Sequence, residues 1–177
     1  MKIVTVVGSK NSGKTTTIEC IVAGLTKKGY RVGSVKHIHH PDFTIDREGT
    51  DTWRHARAGS RMVAAVSNKE VALIMRDEPE EALKSVLDLM RKKELDVVVV
   101  EGLHFSIGQR PDVLKVVTAR DAEDLHQRLQ GTTPPIVAIS GVIAEEAPHS
   151  LEIDVPIIDS KTDCTKLVKR VEEAIRD

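Results

Sequence analysis

The sequence predicts an α/β protein: a mainly parallel sheet with helices on both faces and one antiparallel hairpin. Three observations carry this. Short β-branched runs alternate with helix-period segments over most of the chain. Val97 to Val100 is a run of valines, the mark of a strand buried on both faces. Two β-like runs flank Ser67-Asn68-Lys69-Glu70, as in a hairpin.

In order, Lys2 to Val7 reads as a buried strand that stops at Gly8. From Lys14 the period changes: Ile18, Ile21, Val22 and Leu25 share one helical face, and Gly29 ends the helix. Arg31 to Val35 is a second strand, and residues 37–50 a loop rich in His, Asp and Gly. Thr50 to Ala58 predicts a short helix stopped by Gly59. Arg61–Ser67 and Val71–Met75 form the hairpin. Leu83, Val86, Leu87 and Met90 recur at i, i+3, i+4 and i+7, so 79–92 is an amphipathic helix. Val113–Thr118 and Ile136–Ser140 are further strands, Val155–Ile158 a weaker one, and Leu167 to Ile175 mark a last helix. Thr132-Thr133-Pro134-Pro135 is a loop.

With 177 residues and no internal repeat or linker, a single nucleotide-binding domain over residues 1–177 is expected. The 26 basic and 27 acidic side chains nearly cancel, which argues against a nucleic-acid partner. Aromatics are 2%, too few for base-stacking platforms. No apolar run approaches the length of a membrane span and no leader pattern opens the chain, so a cytoplasmic protein with no membrane partner is expected. Cys20 and Cys164 make neither a disulfide framework nor a zinc motif; Cys20 reads as an unpaired core filler in a reducing compartment.

Gly8-Ser9-Lys10-Asn11-Ser12-Gly13-Lys14-Thr15 fits G-x-x-x-x-G-K-[ST], with a strand before and a helix after. Such a loop turns successive N–H groups and a helix N-terminus toward phosphate. The fold expected is therefore a three-layer P-loop NTPase. Lys14 is assigned to the β- and γ-phosphates, and Thr15 to Mg²⁺ through its hydroxyl. A carboxylate is expected at the carboxyl end of another core strand. Glu101 stands at that end of the valine strand and Asp96 at the other, so Glu101 is assigned to the metal. In the loop after the second strand, His37 and His39 are candidates for phosphate, substrate or a transition metal, and Asp46 or Asp51 for Mg²⁺ through water. A solvated loop explains the same residues. Arg54, Arg57 and Arg61 are spaced for a basic helical face.

The base is left open by chemistry. Asn68-Lys69-Glu70-Val71 lacks the acid of an N-K-x-D guanine motif. Ser160-Lys161-Thr162-Asp163 is nearer the pattern, but Ser160 or Asp159 capping the last helix explains it as well.

Several motifs together resemble the MobB family of molybdopterin-guanine dinucleotide biosynthesis adaptors. They are Gly8-x-Lys10-Asn11-Ser12-Gly13-Lys14-Thr15-Thr16, Lys36-His37-x-His39-His40, Asp46-x-x-Gly49-x-Asp51-x-x-Arg54, Ala58-Gly59 and Glu101-Gly102. The resemblance covers about the first hundred residues. It implies GTP and Mg²⁺ as ligands, weak GTPase activity and a homodimer. It also implies a role assisting the guanylyltransferase that joins GMP to molybdopterin, with molybdopterin itself a candidate ligand. Carried over by position, Gly8 to Thr16 meet the phosphates and metal, Glu101 is the metal-side carboxylate, and the loop from His37 to Asp51 faces nucleotide or cofactor. This chain departs from the family at Leu103-His104 and Arg110-Pro111-Asp112, where an aromatic-Lys pair and a Pro-Lys step are frequent. It departs again at Gly141, where Asp is frequent. A P-loop small-molecule kinase or ligase with residues 103–112 as a lid, and a metal-insertion GTPase using His37, His39 and His40, are the competing readings.

Overall fold

The computed structural model describes residues 1–38, 40, 42–76, 79–104, 106–145 and 153–177. The chain forms two compact units: residues 1–37 with 93–177, and residues 38–92 between them.

The first unit holds five parallel strands, β1 (Lys2–Gly8), β2 (Val32–Lys36), β5 (Val97–Glu101), β6 (Leu114–Thr118) and β7 (Ile136–Ser140), in the order β2-β5-β1-β6-β7. β-Branched residues dominate because each interior strand is covered twice. Val97 to Val100 are all completely buried. Each such side chain contributes about 1.5–3 kcal/mol of transfer free energy. Strand alternation divides the core. Val4 and Val6 face α1 (Lys14–Lys27) and α5 (Cys164–Arg176), with Ile21, Leu25, Leu167 and Val171. Val7 and Val117 face the opposite layer, with Leu125 of α4 (Ala122–Gln130) and Ile143. The expected parallel sheet with helices on both faces is therefore present.

Val155–Ile158 amounts to a single bridge, Ile139 to Ile157, continuing the sheet edge beside β7. Helix α4 was not anticipated, although Asp121 caps it by accepting from Asp124 N, and Leu125 and Leu129 share a face. A lysine also lies within the apolar pattern of β6. Lys115 is fully buried, and its ammonium donates to the carbonyls of Arg110 and Pro134. Burial pushes its pKa down.

One expectation is corrected. Cys20 and Cys164 are joined in a disulfide, 144 residues apart in sequence with Cα atoms 5.7 Å apart. Sequence spacing carries no sign of this pair, because it follows from the packing of α1 on α5. That packing is close: a Cβ on Gly24 would lie 2.3 Å from Val168.

The second unit holds α2 (Asp51–Arg57), α3 (Pro79–Lys92) and the antiparallel pair β3 (Met62–Val66) and β4 (Val71–Met75). The hairpin turn is fixed by Ser67, whose hydroxyl accepts from the N–H groups of Lys69 and Glu70. Asn68-Lys69-Glu70 is thus a turn. Thr50 caps α2 by accepting from Trp53 N at 3.3 Å. On α2, Arg57 stacks over Trp53 and Arg54 pairs with Asp51, so two of the three spaced arginines have local partners.

Candidate functional site

Parallel pairing brings the carboxyl ends of β1, β5, β6 and β7 to one edge of the first unit, the edge where ligands bind in such sheets. The phosphate loop leaves β1 there. A Cβ on Gly8 would lie 2.2 Å from Thr118 Oγ1, so only glycine lets the loop start so close to β6. Asn11 and Gly13 adopt left-handed φ angles of 62° and 92°, and Gly13 opens α1. Ser12 is fully buried; its hydroxyl donates to Ser9 O at 2.9 Å and meets Thr118 Oγ1 at 2.8 Å. Its side chain braces the loop, while its N–H donates to Ser9 O at 3.4 Å and its carbonyl accepts from Val142 N at 3.2 Å.

A cavity of about 430 Å³ opens over this loop. Lys10, Asn11, Gly13, Lys14, Thr15 and Thr16 line one part, together with Glu101. Gly141, Val142 and Glu145 after β7 line the remainder with Asp159, Ser160 and Lys161 before α5. Lys14 Nζ rests on the loop's own carbonyls, 3.1 Å from Gly8 O and 2.5 Å from Ser9 O. Burial pushes its pKa down, with Glu101 acting in the opposite direction. Glu101 accepts from Lys36 Nζ at 2.9 Å, a pair set by their register on adjacent strands. Asp96 sits at the opposite end of β5, accepting from Arg31 N at 2.7 Å, and serves as a strand-start bracket.

Residues 3–140 match the family model described as Molybdopterin guanine dinucleotide synthesis protein B, MobB. The chain belongs to the MobB family. It is 30% identical over 151 residues to the molybdopterin-guanine dinucleotide biosynthesis adapter protein of Escherichia coli, covering 84% of this chain and 79% of that protein. The probable adapter of Bacillus subtilis is 33% identical over 151 residues, covering 85% and 80%. Among solved structures, Bacillus subtilis MobB superposes with a TM-score of 0.76 at 27% identity, covering 98% of each chain. A MobB homologue from Bacillus stearothermophilus gives 0.71 at 28% identity, covering 99% of each.

MobB membership and the cavity bear on each expected residue. Lys10, Asn11, Gly13, Lys14, Thr15, Thr16 and Glu101 come together on the cavity wall. Gly8 and Ser12 support it from behind. His37 directly follows β2, its N–H donating to Glu101 O at 3.1 Å, and is not among the lining residues. His39 lies outside the described residues. Asp46 belongs to the second unit, where its Oδ1 accepts from Arg47 N, Thr50 Oγ1 and Thr52 Oγ1 at the start of α2. Neither helix-cap alternative at 159–160 holds. Asp159 braces its own turn, accepting from Lys161 N at 2.8 Å and Thr162 Oγ1 at 2.9 Å. Ser160 meets Thr17 of α1, and Asp163 stands at the start of α5 without a side-chain cap bond.

Two features escaped sequence reasoning. Asp124 of α4 is buried and accepts from Ser9 Oγ at 2.5 Å and Arg120 N at 3.0 Å, holding the phosphate loop from below. The Leu125 and Leu129 spacing behind an Asp cap was the signal for its helix. Gly141 presses against the loop: a Cβ there would lie 2.0 Å from Ser12 O. Nothing local in the sequence reports that contact.

Proposed function

We propose that this chain binds GTP with Mg²⁺ in the cavity over the phosphate loop, and that it serves as an adapter to the guanylyltransferase that forms molybdopterin guanine dinucleotide. The observation that carries the reading is the continuity of one cavity from Lys14, Thr15 and Glu101 to the segments at 141–145 and 159–161. It offers a phosphate end and an end for a nucleoside in a single volume, as a nucleotide site requires. The relatives' names supply the pathway.

The donors fit a hard divalent cation. The Thr15 hydroxyl and the Glu101 carboxylate are oxygen ligands, and Mg²⁺ is held by few protein groups plus phosphate and water. When bound, the ion supplies charge neutralisation at the β- and γ-phosphates. Lys14 exchanges its contacts to the Gly8 and Ser9 carbonyls for phosphate oxygens. Glu101 orients water or metal, with Lys36 holding its carboxylate in place. Hydrolysis in this reading is slow and secondary to delivery of the nucleotide. The site of action in this reading is the cytoplasm.

The chain acts as a homodimer in this reading. On the β3–β4 hairpin, Met62, Val66, Val71 and Leu73 are all exposed, an apolar face that a two-stranded sheet cannot cover alone.

Calorimetric titration with GTP and with ATP, each with Mg²⁺, tests the proposal. Preference for GTP is expected. Preference for ATP would move the site to a kinase or ligase. Glu101→Gln should slow Mg²⁺-dependent hydrolysis more than it weakens binding; an unchanged rate would place the metal-side carboxylate elsewhere.

A further inference from the structure

We infer that Glu145 and Lys161 read the edge of the guanine base, resting on the assignment of this cavity to GTP. A base-reading group must line the cavity away from the phosphate loop, where the described lining residues are Gly141, Val142, Glu145, Asp159, Ser160 and Lys161. Guanine presents an acceptor, O6, beside two donors, N1–H and N2–H₂. Adenine presents a donor, N6–H₂, where guanine has O6. An acceptor-only carboxylate beside a cation therefore complements guanine and opposes adenine.

Among the described residues, three carboxylates line the cavity: Glu101, Glu145 and Asp159. Glu101 stands at the phosphate end, paired with Lys36. Asp159 spends one oxygen on Lys161 N and the other on Thr162 Oγ1, inside its own turn. Position 141 cannot contribute a carboxylate, because any Cβ there would lie 2.0 Å from Ser12 O. Glu145 remains. Its Oε1 accepts from Lys161 Nζ at 2.6 Å, the bond recorded for its carboxylate among the described residues.

This pair joins the two base-end segments and presents oxygen and ammonium side by side, with side chains 40% and 58% exposed at the rim. The Glu145 carboxylate accepts from N1–H and N2–H₂, while Lys161 Nζ donates to O6. The aliphatic stem of Lys161 and the Val142 side chain offer apolar surface to the ring faces.

The test is binding of Mg²⁺ complexes of GTP, ATP and xanthosine triphosphate, and of inorganic tripolyphosphate, to the full chain and to Glu145→Ala, Glu145→Gln and Lys161→Met. Glu145→Ala should lose about ten- to a hundredfold in GTP affinity while holding tripolyphosphate unchanged and leaving ATP binding no weaker. Xanthine carries a carbonyl in place of the N2 amino group, so the Glu145→Gln amide should shift preference toward xanthosine triphosphate by about tenfold or more. Lys161→Met should weaken GTP and leave tripolyphosphate unchanged. A parent protein that prefers GTP, with Glu145→Ala and Glu145→Gln retaining that preference, overturns the inference and leaves the GTP reading standing. A parent protein with no preference for GTP overturns both. Should Glu145→Ala also lose tripolyphosphate through misfolding, the preference of Glu145→Gln decides.

Discussion

The two ends of the cavity are built differently. The phosphate end is one contiguous segment, Gly8 to Thr16, with Glu101 added from the neighbouring strand. The base end is assembled from residues 141–145 and 159–161, which meet only because β7 and the Ile157 bridge lie side by side. The first end uses backbone N–H groups and a lysine, a solution suited to any polyphosphate. The second uses side chains from separate loops, which is where selectivity between bases must come from. In the proposed GTP reading, affinity and specificity are thereby assigned to different parts of one cavity.

Gly141 is where the two ends touch, and its substitution has the largest expected effect. Its φ of 87° and ψ of −157° fall in a region that only glycine occupies readily. With the added overlap against Ser12 O, Gly141→Ala should cost roughly 2–6 kcal/mol of stability, measured by chemical denaturation. Should the variant be as stable as the parent, the phosphate loop and the β7 loop are not locked together. Lys14→Ala should separate the ends instead. Loss of the ammonium should cost about 2–5 kcal/mol of binding, equally for GTP, ATP and tripolyphosphate, with the fold intact by circular dichroism. A loss confined to GTP would mean that Lys14 serves the base end.

The same division explains what the sequence discloses. The phosphate loop is legible because its chemistry lies within nine consecutive residues. The parallel sheet is legible because burial on both faces writes itself as runs such as Val97–Val100. Glu101 was reachable through strand direction alone. The base end is less legible, because Gly141 stands out in the sequence only as a departure from the family's frequent Asp, and its contact with Ser12 needs the fold. Lys161 carries a motif-like neighbourhood, yet the adjacent acid that lines the cavity is Asp159, not Asp163. The Cys20–Cys164 link is likewise a product of α1 packing on α5.

That disulfide connects the helix of the phosphate end to the helix that follows the base end. Cys164→Ser should lower stability by about 2–4 kcal/mol under oxidising conditions and by much less in reductant. It should leave tripolyphosphate affinity unchanged. Thiol titration of the unfolded parent should find no free thiol before reduction and two after. Free thiols in protein that has seen no reductant would show that the helices hold together without the bond.

The smallest effect tests the support beneath the phosphate end. Burial alone would raise the Asp124 carboxyl, but hydrogen bonds from Ser9 and from the Arg120 backbone and side chain hold it below the usual carboxylate range. Arg128 adds a second cation 3.6 Å from its other oxygen. A carboxyl with a depressed folded-state pKa contributes stability that is fully present above its unfolded value, about 4, and is lost as pH falls through the folded value. Asp124→Asn replaces an acceptor with a group that is half donor, facing a hydroxyl and two guanidinium groups. At neutral pH it should cost about 1.5–3 kcal/mol, the worth of hydrogen bonds to a charged acceptor. The gap between parent and variant should stay level from neutrality down to about pH 5 and then close in stronger acid as the parent's carboxylate takes up its proton. A gap that persists unchanged in acid would mean that the shape of the side chain, rather than its charge, holds Ser9 and the loop above it.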